Sequence, residues 1–92
     1  MIRSRPDRWF DRFRRTSDAR LLAKVFDAVA PELWRVAAHL CRDRHLAEDA
    51  VQATFLSAIE APHEWDATRP LVPWLLGMLA NRVREQRRRA AR

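Results

Sequence analysis

The side chains best suited to chemistry stand in two stripes at helical spacing. Trp74, Gly77, Asn81, Arg84 and Arg88 recur every three or four positions, which sets an indole, a carboxamide and guanidinium groups on one side of a helix. A ring that stacks on a base, an amide that bonds a base edge and Arg groups that follow phosphates together suit a single-stranded nucleic acid. A structural reading stands beside this one. A Trp at a helix start packs half-buried and Arg in a last turn complements the macrodipole, so composition alone leaves both open.

The second stripe lies on the helix before it. At about 100° per residue, Ala47, Val51, Thr54, Phe55 and Ala58 fall on one side and Asp49, Gln52, Ala53, Leu56 and Glu60 on the other. The first side is core. The second is either a solvated face with one stray Leu or a docking face for a partner helix, with Leu56 as anchor and Asp49 and Gln52 as hydrogen-bonding groups. As exposed polar side chains, Asp49 and Gln52 are expected to add little to stability.

Other chemistry finds no support. His39, Cys41 and His45 lie close together, but there is one Cys and the spacing crosses a helix break, so no metal is expected and Cys41 reads as a small buried hydrophobe. Glu48 and Asp49 point to different sides of a helix, and no Ser or Cys has a positioned base. The single glycine, Gly77, excludes glycine-rich phosphate loops and dinucleotide fingerprints. Neither enzymatic activity nor a cofactor is expected. A lone Cys forms no internal disulfide, and no window has the length of an apolar membrane span, so the chain reads as cytosolic.

The elements that must hold these stripes follow from composition and period. Ninety-two residues, 48% hydrophobic and 33% charged, suffice for one small domain, and with one Gly and few β-branched residues the fold class is all-α. Leu21, Leu22, Val25, Val29, Leu33, Val36, Ala37 and Leu40 mark a first helix, capped by Thr16 or Ser17 and kinked or briefly broken at Pro31. Asp43 caps a second helix over about 44–61, which Pro62 ends. Residues 62–73 hold three Pro and no helical period, a long loop of the kind that serves a function. A third helix starts near Pro70 or Pro73 and buries Leu75, Leu76, Leu79 and Val83. This predicts a compact bundle of three main helices over 17–92, preceded by a basic N-terminal arm at 1–16.

Formal charge is +6, and all but one of the 18 cations are Arg. Residues 1–20 hold seven Arg against three Asp, and 82–92 hold six Arg against Glu85, whereas 21–81 carry five cations and eight acids. Basic ends point to a polyanion such as nucleic acid, and the acidic middle to a different partner. The arm, with Trp9, Phe10 and Phe13, also suits an amphipathic helix on a membrane or a targeting peptide, the latter disfavoured by its three acids; the favoured account is a basic arm that is frayed or packs its aromatics on the domain.

The segments RHLAEDAVQATFLSAI and LVPWLLGMLANRVREQRRR, with the loop between them, resemble region two of bacterial sigma factors, and more narrowly the extracytoplasmic-function (ECF) branch. The resemblance covers about residues 18–91. It implies that Asp49 and Gln52, matching the family's Asp-x-x-Gln, face the clamp helices of the largest subunit of core RNA polymerase, with Ala53 and Leu56 beside them. It further implies that the loop residues His63, Glu64, Trp65, Asp66, Ala67, Thr68 and Arg69 capture a base flipped from the non-template strand of the minus-ten promoter element. Trp74 and Asn81 would contact the separated strand, with Arg84, Arg87 and Arg88 near phosphates.

The implied function is transcription initiation in the bacterial cytoplasm, at the nucleoid. The partners would be core polymerase, single-stranded promoter DNA and an anti-sigma factor, with no membrane. Such factors continue into a second helical domain that reads the minus-thirty-five element, so the resemblance covers half of a two-domain factor. A rival reading is a sigma-like interaction module that binds a regulator without reading DNA; it needs the Asp49 face but not Trp74 or Asn81. A helix-turn-helix binder of duplex DNA is disfavoured by the length of the loop.

Overall fold

The computed structural model describes residues 3–92, and every regular element among them is helical. In chain order these are α1 (Arg5–Thr16), α2 (Ala19–Leu40), α3 (Arg44–Glu60) and α4 (Leu71–Ala90), with a single 3-10 turn at Pro62–Glu64. The all-α class holds. The expected count of three helices does not, because where a basic arm was anticipated the chain forms α1; Met1 and Ile2 of that arm lie outside the described residues.

Local signals account for α1. Ser4 and Asp7 form a capping box, in which the Ser4 hydroxyl accepts from the Asp7 N–H and the Asp7 carboxylate from the Ser4 N–H, each at 3.3 Å. Pro6 sits in the first turn, where no backbone donor is needed, and Arg14 and Arg15 close the positive-to-negative dipole. Phe10 and Phe13 point into the core at 0% and 9% exposure. No apolar face of α1 is left for a lipid surface. Ser17, in the left-handed conformation at φ 58°, ends α1 with its N–H bonded to the Phe13 carbonyl, and Asp18 rather than Thr16 or Ser17 caps α2.

α2 runs through Pro31 as one continuous helix, without the break that Pro31 offered as one outcome. Pro31 supplies no donor to the Asp27 carbonyl. Both residues are exposed, on the side of the helix open to solvent, while Val25, Val29, Leu33 and Ala37 bury a continuous stripe on the opposite side and hold the helix together. Asp43 caps α3 as anticipated, accepting the Leu46 N–H at 2.9 Å.

The core lies where α2, α3 and α4 meet. α3 contributes Ala47, Ala50, Val51 and Ala58, small side chains that let the helices approach, and α4 contributes Leu71, Leu75, Leu79 and Val83. Phe55 is only half-buried, stacked on Phe26 of α2 with centroids 4.1 Å apart. α1 packs chiefly along α2 and reaches the start of α4.

Candidate nucleic-acid and partner interface

The outer face of α3 is apolar at its centre. Leu56 is 56% exposed and Gln52 is exposed beside it, with Ala53 half-buried. Ile59, 39% exposed, stands three residues after Leu56 and seven after Gln52, which puts it on the same face. Sequence reasoning missed it, although that spacing was the available signal. Two exposed branched side chains a turn apart form a better hydrophobic anchor than Leu56 alone.

Asp49 is half-buried and engaged. Its carboxylate accepts Arg82 Nε at 3.0 Å and a terminal Arg82 nitrogen at 3.2 Å, and Gln86 Nε2 at 2.9 Å. The Gln86 amide foremost, then Arg82, holds the carboxyl below the usual Asp range. Gln86 is itself buried and donates a second bond to the Leu46 carbonyl at 3.0 Å. Asp49 therefore ties α3 to α4, rather than standing as the free polar side chain on which the expectation of little stability rested. Arg82 and Gln86, four apart on α4, were not singled out from the sequence, since nothing local announces that their partner lies on α3.

The loop between α3 and α4 is shaped before any partner arrives. Asp66 accepts both the Thr68 N–H at 3.0 Å and the Thr68 hydroxyl at 2.7 Å, and these bonds keep its carboxyl below the usual range. His63, Glu64, Asp66, Thr68 and Arg69 are exposed, and Ala67 is half-buried. Trp65 points inward instead. It is 2% exposed, edge-on to Phe10 with centroids 5.6 Å apart, and under the Arg14 guanidinium at 5.3 Å. It still lends a wall to a cleft of about 450 Å³, which Trp74 closes from α4 and Asp66 and Arg69 border.

Trp74 is half-buried, tilted on Phe10 at 5.9 Å, so it packs and faces the cleft together. Asn81 lies further along α4, beside a separate groove that it shares with Ala53 of α3. Its side-chain oxygen accepts from Arg84. Gly77 between them is exposed, and a Cβ there would meet nothing. Arg84 and Arg88 are exposed and enter no ion pair among the described residues, whereas Arg87 donates to the Leu40 carbonyl at 2.9 Å and so caps α2. The Trp65–Trp74 cleft, the Asn81 groove and the terminal Arg groups thus follow one another along α4.

Cys41 is half-buried, its thiol 3.8 Å from Gln86 Oε1, and burial pushes the thiol up. Among the described residues no three His, Cys, Asp or Glu side chains gather to hold a metal, and no helix is long and apolar enough to cross a membrane.

Residues 25–92 match the family described as sigma-70 region 2. The ECF RNA polymerase sigma factor SigL of Mycobacterium tuberculosis is 37% identical over 75 residues, covering 80% of this chain and 42% of SigL. RNA polymerase sigma factor CarQ of Myxococcus xanthus is 36% identical over 61 residues, covering 66% of this chain and 35% of CarQ. The chain spans less than half the length of these relatives, and no solved structure matches it significantly. Sigma factors initiate transcription without catalysing a covalent step, and the chain is not an enzyme. With residues 25–92 matched and the ECF relatives beside them, this chain belongs to the sigma-70 region 2 family as an ECF-type domain.

Proposed function

We propose that this domain docks on the clamp helices of core RNA polymerase through the outer face of α3 and opens the minus-ten promoter element with the loop and α4. The observation that carries the reading is the cleft between Trp65 and Trp74, continued along α4 by Asn81 and by Arg84 and Arg88, which enter no ion pair among the described residues. Extruding a base costs a few kcal/mol of stacking, and a pocket walled by an indole and bordered by polar side chains offsets it. Asp66 and Arg69 border the pocket with Trp65 as its inner wall, and the loop residues His63, Glu64, Ala67 and Thr68 around them share in selecting the base. Trp74 and Asn81 contact the separated strand, and Arg84, Arg87 and Arg88 follow its phosphates.

Asp49, Gln52, Ala53 and Leu56 meet the polymerase, with Ile59 extending the apolar contact. In the cell this places the domain in the bacterial cytoplasm at the nucleoid, where an anti-sigma factor competes for the same faces. The test is binding of single-stranded minus-ten-like DNA by the wild type, Trp74→Ala and Asn81→Ala. Both substitutions should weaken binding about tenfold. Equal, sequence-blind binding by all three would leave only the protein-interaction reading standing.

A further inference from the structure

α1 lies wholly outside residues 25–92, the part that matches the family, yet three of its side chains hold both walls of the cleft. The residue at the N-cap of α4 is Pro70, which offers neither a side-chain oxygen nor an N–H, so the first amides of α4 lack a local cap. Asp7 supplies it from another helix. Its Oδ1 accepts the Leu71 N–H at 2.9 Å in a buried setting, while Oδ2 stays in the α1 capping box.

One turn further on, Phe10 packs against both indoles from the core side, its ring centroid 5.6 Å from that of Trp65 and 5.9 Å from that of Trp74. At the far end Arg14 donates to the Trp65 carbonyl at 2.8 Å and covers its ring, itself held by Asp11 at 3.0 Å. Asp7, Phe10 and Arg14 stand at helical spacing, so one rigid element registers the loop against the helix that it faces.

We infer that α1 is a specificity element: Asp7 and Arg14 are positioning residues that fix the width of the Trp65–Trp74 cleft and hence the base that it admits. The inference rests on the reading of this cleft as a base pocket. A cleft whose walls move independently would accept bases of different size, whereas one pinned at both ends discriminates.

The test uses the 92-residue chain and its Asp7→Ala, Asp7→Asn, Arg14→Ala and Arg14→Lys variants. Each selects from a pool of single-stranded DNA randomised over a short window, and amide exchange at Leu71 is followed by NMR. Asp7→Ala and Arg14→Ala should lower the ratio of preferred to disfavoured base about fivefold, the effect of one lost hydrogen bond, while binding to an unselected strand is retained. Asp7→Asn, which keeps an acceptor, should restore both selectivity and Leu71 protection, and Arg14→Lys should restore selectivity in part.

Wild-type selectivity in the two Ala variants would overturn the inference while sparing the base-pocket reading. No base preference in the wild type would overturn both. If Asp7→Ala fails to fold, Arg14→Ala, altering a side chain 20% exposed, decides the question.

Discussion

Replacing Asp49 by Ala should destabilise the domain as well as weaken docking, and the size of the effect follows from its partners. The substitution removes a two-point ion pair with Arg82, whose side chain is 27% exposed against 46% for Asp49. At that exposure solvent screening holds the pair to about 1 kcal/mol. It also removes an acceptor from the buried Gln86 amide, worth about 1 kcal/mol more. The total, about 2 kcal/mol, corresponds to a fall in Tm of roughly 10 °C for a domain of this size.

Thermal unfolding followed by circular dichroism measures it, with Gln52→Ala as the exposed control that should shift by less than about 2 °C. A double-mutant cycle with Arg82→Ala should return a coupling of about 1 kcal/mol. The pH dependence has a definite sign. Because the folded pKa of Asp49 lies below its unfolded value, the contribution is complete above about pH 4 and disappears as pH falls through the folded value. The gap between wild type and Asp49→Ala should therefore be constant near neutrality and close in acid. An unchanged Tm in Asp49→Ala at pH 7 would refute the reasoning and return Asp49 to a purely solvated role.

Other outcomes follow from exposure and helix geometry. Leu56→Ala should weaken binding to a clamp-helix peptide by about 1–2 kcal/mol, measured by calorimetry, with Tm unchanged, because the side chain is exposed. Pro31→Ala should stabilise α2 by about 1–3 kcal/mol in denaturant titration, since it restores a donor in the middle of a continuous helix. Arg84→Ala and Arg88→Ala should each reduce the slope of log affinity for DNA against log salt by about one. Arg87→Ala should in addition lower Tm, through loss of its bond to the Leu40 carbonyl.

The sequence by itself determined the features that are local. The stripe Val25, Val29, Leu33, Ala37 reads as a helix face because the period of an α-helix is written into spacing, and Asp43 reads as a cap because its partner, Leu46, is three residues away. The exposed face with Gln52 and Leu56, and the succession of Trp74, Asn81, Arg84 and Arg88, were legible for the same reason. The capping box at Ser4 and Asp7 was equally local and marks α1, but the density of Arg around it pointed to an arm.

Only the tertiary structure decided what each face touches. Trp65 sits in a polar loop, and burial turns it inward because Phe10 and Arg14, some fifty residues earlier, close over it. Spacing puts Asp49 on the outer face of α3 with Gln52 and Leu56, yet Arg82 and Gln86 make it a tie between helices. Pro31 breaks a helix by its backbone chemistry and is overridden by apolar burial on both sides of it. Periodicity fixes the direction of a side chain around its own axis; burial and charge pairing depend on the neighbouring helix, whose position only the packed core defines.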